Sequence, residues 1–214
     1  MSKVEEIWLK LTENLPETKN NWWKKILENL NDSQRKYHNL ESVEYKFNLY
    51  DSVKDKIKNK TAVEYAILFS YLEYDPRNGD SHLKNMELFK QFALDTELPI
   101  DCHEVNEVLS LIECTSSHLT EQHMTEGAIG HEDKHYFLDI DMSILGSPSE
   151  QYQSYAQKVR EEYDFLEQSA YNSLRMKVLQ SFLKIPNIFA TEEFRNKYEK
   201  QARNNIEKEI SQLN

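Results

Sequence analysis

One stretch limits what this chain can become: Thr61 to Tyr74, TAVEYAILFSYLEY, the most apolar run of its length in an otherwise polar sequence. Ala62, Tyr65, Ala66, Phe69 and Leu72, with Val63, Ile67 and Leu68 beside them, leave little polar face. A helix apolar nearly all round belongs in the middle of its domain. Thr61 and Glu64 fit a capping box at its start, and Asp75-Pro76 with Asn78-Gly79-Asp80 end it in a turn. Ser70, Tyr71 and Glu73 lie near its end, so whatever they carry is held against the core.

Helical spacing recurs on both sides. Val4, Ile7, Trp8, Leu11 and Leu15 mark a helix that Pro16 breaks, and Trp22, Trp23, Ile26, Leu27 and Leu30 a second, with the tryptophans as packing anchors. Asp32-Ser33 can cap a third helix through RKYHNLESVEYKFNLY, followed by a charged connection over 51–60. Ser81 to Leu94 turns Leu83, Met86, Phe89 and Phe92 inward; Asp101 and Glu104 form a cap pair opening a helix through Ile112. Thr115 to His131 is polar and reads as a long, mobile loop. Asp133 to Leu145 is a short apolar helix stopped by Gly146, and Ser147-Pro148-Ser149-Glu150 starts the next with an N-cap and Pro at N1. Tyr152, Tyr155, Val159, Tyr163 and Leu166 continue it. Leu174, Val178, Leu179 and Phe182 mark another helix, Pro186 interrupts, and Thr191 caps a last helix with a polar, frayed end.

No segment has strand period, so the class is all-α. With 4 glycines, 5 prolines and 29% charged residues in 214, one domain over 1–214 is expected: N-terminal helices at 1–31, a core over 32–183 and a C-terminal helix over 187–214. A net charge of −11 disfavours generic binding to nucleic acid or to an anionic membrane. No run is long and apolar enough for a membrane span, and the N-terminus lacks a signal-peptide block. Cys102 and Cys114, without metal-knuckle spacing, read as reduced thiols, and the expected location is cytoplasmic.

Polar residues inside apolar helices carry the information about chemistry. His38-Asn39 falls within the third helix, Asp139 and Asp141 within the stretch from Tyr136 to Leu145, and His118 just after Thr115. Buried carboxylates are costly unless paired, hydrogen-bonded or bound to metal. Two readings follow: a metal or phosphate site, or aspartates that brace neighbouring helix ends beside a satisfied core histidine. His123, His131 and His135 flank the polar loop and are too scattered to read as a metal tract. No Gly-rich phosphate loop, HExxH, CxxC or nucleophile elbow is present.

Taken together, several separated pieces resemble one family, the metal-dependent HD-domain phosphohydrolases. They are Tyr37-His38-Asn39-Leu40, the helix before Tyr74-Asp75-Pro76, Thr115 with His118, and FLDIDMSILG from Phe137 to Gly146. Tyr152, Tyr155, Val159-Arg160, Glu162-Tyr163, Arg175, Leu179 and Phe182-Leu183 follow, then Glu199 with Ala202-Arg203-Asn204. The resemblance implies an all-helical HD-domain-like fold and a divalent metal held by a His-Asp pair. His38 would be its proton donor if the site is active.

The departures fall on the metal. Ser42 stands where the resemblance puts a histidine, Ser70-Tyr71 where it puts the His-Asp pair, and Ser81-His82 where it puts Asn-Glu. Of the implied ligands a late aspartate remains, Asp141, with Asp139 the other choice. One carboxylate cannot hold a hard cation that needs several convergent ligands, and without the cation no water is activated in the usual way. The first expectation is therefore a non-catalytic binding or regulatory protein without cofactor. Its pocket would be lined by Asn39, Ser42, Ser70, Tyr71, Glu73, His82, His118 and Asp139, for a small phosphorylated ligand or a protein partner. One alternative is an active phosphohydrolase on a nucleotide or small phosphoester, with a divalent metal relocated to Glu73, His82, His118 and Asp141. Another is a helical interaction module.

Overall fold

The computed structural model describes residues 1–98 and 102–213. Asp101, expected to open a helix, and the side chain of Cys102 lie outside the described residues. Among those described the regular elements are all helical, and no helix is long and apolar enough to cross a membrane. The chain divides into two compact units, Met1–His118 and Leu119–Asn214.

The first unit holds α1 (Lys3–Leu11), α2 (Thr18–Leu30), α3 (Leu40–Val53), α4 (Lys60–Phe69), α5 (Ser81–Asp95) and α6 (Cys102–Cys114). As the apolar run predicts, α4 is its centre: every residue from Ala62 to Phe69 is buried, and α3, α5 and α6 pack against it. Aromatic rings fill the space around α4. Trp22 meets Phe92 edge-on at 5.6 Å and Phe69 at 6.3 Å, Tyr65 lies 5.6 Å from Phe92, and Trp8 stacks on Trp23 at 5.5 Å. Such pairs each add about 0.5–1.5 kcal/mol beyond the area they bury.

Three of the boundaries that differ from expectation have a local reason in the chain itself. The first helix stops at Leu11, a turn before Pro16, because Thr12 turns its hydroxyl back to the Trp8 carbonyl. The third helix begins at Leu40, capped by Asn39, whose side chain accepts the Ser42 N–H; Asp32 instead accepts from Gln34 in a turn. His38 is therefore outside the helix. The central helix opens at Lys60, where Asn59 accepts the Ala62 N–H, and Glu64 serves elsewhere: buried, it takes Lys10 at 2.6 Å and the Tyr50 hydroxyl at 2.9 Å. In α5, Leu83 is exposed and Asn85 takes the inward position.

The second unit holds α7 (Glu121–Met124), α8 (Asp133–Met142), a 3-10 turn (Ser143–Gly146), α9 (Ser149–Glu162), α10 (Gln168–Lys184) and α11 (Glu192–Leu213). The 3-10 turn is its hub, packed on α8, α9 and α11. Gly146 is required there, because a β-carbon would lie 2.5 Å from Tyr198 Cβ and 2.7 Å from its carbonyl oxygen. Pro148 precedes α9, and Ser147 bonds back to Ile144 instead of capping.

Residues 115–131 are not a free polar loop. The segment contains α7 and a fully buried His123, and Asn187 holds it by donating to the carbonyls of Gln122 and Thr125 at 2.8 Å. On α10, Leu174 and Val178 face outward, the buried positions are Tyr171, Arg175 and Leu179, and Arg175 grips Glu209 with two bonds of 2.8 and 3.1 Å. That bond pins the end of α11, where a frayed terminus was expected.

Candidate functional site

In the first unit, the chain leaves helical geometry after Phe69, so Ser70, Tyr71 and Glu73 sit on a short irregular stretch and not on the helix. The physical reason is competition for the backbone. Asn85, fully buried, donates to the carbonyls of Ser70 at 2.7 Å and Glu73 at 2.9 Å, and accepts the Glu73 N–H at 2.7 Å. Arg35 donates to the carbonyls of Tyr71 and Leu72 at 2.6 and 2.8 Å. Groups that would continue the helix are thus satisfied from outside it.

This path brings part of the predicted set together. Tyr71 is the centre. Its ring lies over the buried Lys46 ammonium at 4.1 Å and 5.0 Å from the His38 ring, and its hydroxyl is 3.3 Å from His118 Nε2. His38 also stacks on Tyr74 at 3.9 Å. His118 reaches Tyr71 from a backbone with φ of 57°, uncommon for a residue with a side chain. The other members do not join this group. His82 faces Glu113 on α6 at 3.9 Å, and Glu73 is held through its backbone by Asn85. Asn39 caps α3, and the Ser42 hydroxyl donates to its carbonyl at 2.8 Å.

These contacts test whether the implied cation fits. Ser70 donates to the Ala66 carbonyl just as Ser42 does to Asn39, so both hydroxyls are turned into their own helices. The Tyr71 ring is occupied by a cation already, the Lys46 ammonium. Each of the three substituted positions thus already has a partner within the protein. Among the described residues no three His, Cys, Asp or Glu side chains gather where they could hold one.

Beside this group a groove of about 780 Å³ runs along the start of α3, lined among others by Asn31, Asp32, Ser33, Arg35, Lys36 and Asn39. Arg35 thus reaches both the groove and the carbonyl of Tyr71.

In the second unit, Asp139 is fully buried and braces the start of α11. One oxygen accepts the Ala190 N–H at 2.9 Å; the other accepts the Thr191 N–H at 2.8 Å and its hydroxyl at 2.6 Å. Burial pushes its carboxyl up to about 7, against these hydrogen bonds and the nearby Arg195, which pull it down. His123 Nε2 lies 3.9 Å from it. Asp141, half-buried, follows on the same helix. Thr191 takes the cap position before α11 that its spacing predicts. Glu199 accepts the Ile188 N–H at 3.0 Å and pairs with Arg203 at 2.7 Å, so the late residues that carried the resemblance hold the chain together here.

Sequence reasoning passed over Arg35, Lys46 and Asn85, and named Tyr74 only as the end of the apolar run and part of a motif, not as a site residue. Lys46 and Asn85 carried a signal, a polar residue at an inward position of an apolar stripe. Arg35 carried none. No family model matches the chain, and no curated protein or solved structure matches it.

Proposed function

We propose that this chain is a non-catalytic binding or regulatory protein related to the HD-domain phosphohydrolases, working without a metal. The observation that carries the reading is the use of the three substituted positions. Ser42 and Ser70 bond to backbone carbonyls, and Tyr71 is packed between Lys46, His38 and His118. A residue kept as filler and brace differs from a ligand position merely weakened. Recovering a site would require freeing three side chains at once. Under this reading a small phosphorylated ligand would meet Arg35 and Lys36 at the groove beside Asn39, against the carboxylates of Asp32, Glu41 and Glu44 that share its lining.

Metal content separates this from an active, relocated phosphohydrolase. The chain is expressed with added Mn, Fe and Zn, beside a Ser42→His, Ser70→His, Tyr71→Asp variant, and both are measured by mass spectrometry. An empty wild type and a loaded variant are the expected result. About one ion per wild-type chain, with turnover abolished by Asp141→Ala, overturns it.

A further inference from the structure

We propose that His135 is a proton-operated latch on the segment between α7 and α8: neutral, it closes the turn before α8, and protonated, it releases it. The geometry fixes the tautomer. His135 Nδ1 lies 3.0 Å from the Glu132 N–H, and a backbone amide can only donate, so Nδ1 carries a lone pair. The ring proton is then on Nε2, which lies 2.9 Å from the Gln122 side-chain oxygen and donates to it. Both bonds are satisfied by one neutral form.

The ring has little room to escape. It is 1% exposed, and Gly130 presses on it so closely that a β-carbon there would lie 2.4 Å from Cγ. Gly130 is fixed in turn by donating to the Ala190 carbonyl at 2.9 Å, and Gln122 by Asn187. A second proton on the imidazole would set N–H against N–H at Glu132. The turn at Glu132 must then open, whereas the imidazolium keeps its Nε2–H donor toward Gln122.

The surroundings resist that second proton. Burial is the main opposing influence, Lys134 and His131 oppose it as well, and Glu132 favours it. From α7 the ring faces the uncharged Gln122. His123 makes a similar cap at Thr120, with the Thr120 hydroxyl also 2.9 Å from its Nδ1.

The test is nuclear magnetic resonance on the whole chain, with ring nitrogens assigned and backbone amide exchange corrected for its intrinsic pH dependence. The Nε2–H tautomer is expected at about pH 8. Between about pH 7.5 and 5.5, the Glu132 and Gly130 amides should lose protection about tenfold while Leu179 in α10 keeps its own. His135→Gln keeps a non-titrating acceptor at the third position of the turn, so its Glu132 protection should be flat across the same range. An Nδ1–H tautomer, unchanged Glu132 protection, or loss at Leu179 in step with Glu132 would each overturn the latch. The wild-type measurements decide this even if the variant fails to fold.

Discussion

At the scale of single residues, the informative side chains are polar ones that serve the backbone. Asn85 replaces three helical hydrogen bonds with its own amide, and no other residue type offers an acceptor and two donors at that reach. Asn85→Ala leaves two carbonyls and one N–H near the core without it. It is expected to cost roughly 2–4 kcal/mol in urea unfolding. A loss well below this would mean that water replaces Asn85, and that the irregular path of Ser70 to Glu73 has another cause. Asp139 makes a second case, with a sign that can be worked out. Its folded carboxyl holds a proton up to about pH 7, whereas the unfolded one releases it near 3.8. Between these values the folded chain binds more protons, so this group's contribution is fully present below about pH 4 and declines as pH rises through 7. Wild-type stability relative to Asp139→Asn should therefore fall from pH 5 to pH 8. A difference that stays level, or rises, would mean that the three hydrogen bonds and Arg195 outweigh burial.

At the scale of elements, each unit closes around one irregular or apolar piece, and glycine shows how tightly. Gly146→Ala pushes a methyl group into the Tyr198 backbone on α11, where nothing flexible can yield. It should cost about 1–3 kcal/mol or more in thermal or urea unfolding. Gly79→Ala is the control, since nothing lies within 4 Å of the added carbon, and it should leave stability within about 0.5 kcal/mol. Equal effects at the two positions would dismiss the 3-10 turn as a packing hub.

The same elements show what the sequence made legible. The buried centre at Ala62 to Phe69 and the anchors Trp22, Phe89 and Phe92 were readable, because burial writes its period directly into the residue order. The ends were less so. Thr61 and Glu64 have the form of a capping box, yet Asn59 caps and Glu64 is drawn inward by Lys10 and Tyr50, partners remote in sequence. His38 was placed inside a helix for a similar reason: Asn39 is as good a cap as Asp32, and spacing does not choose between them. The candidate site was legible as a list of positions but not as a set of contacts. That Tyr71 would sit on Lys46 depends on α3 and the stretch after α4 meeting, which no local pattern encodes.

For the whole molecule, the division into two units has a consequence outside chemistry. The three tryptophans, Trp8, Trp22 and Trp23, all belong to the first unit, two of them stacked, while the second unit carries tyrosine and phenylalanine. Light absorbed at the red edge of the aromatic band is therefore emitted from one half of the chain alone. The protein carries a built-in optical reporter for residues 1–118, and residues 119–214 are dark at that wavelength. Emission and backbone dichroism recorded on one sample can then follow the loss of the first unit separately from the loss of helix in the chain as a whole, with no label attached.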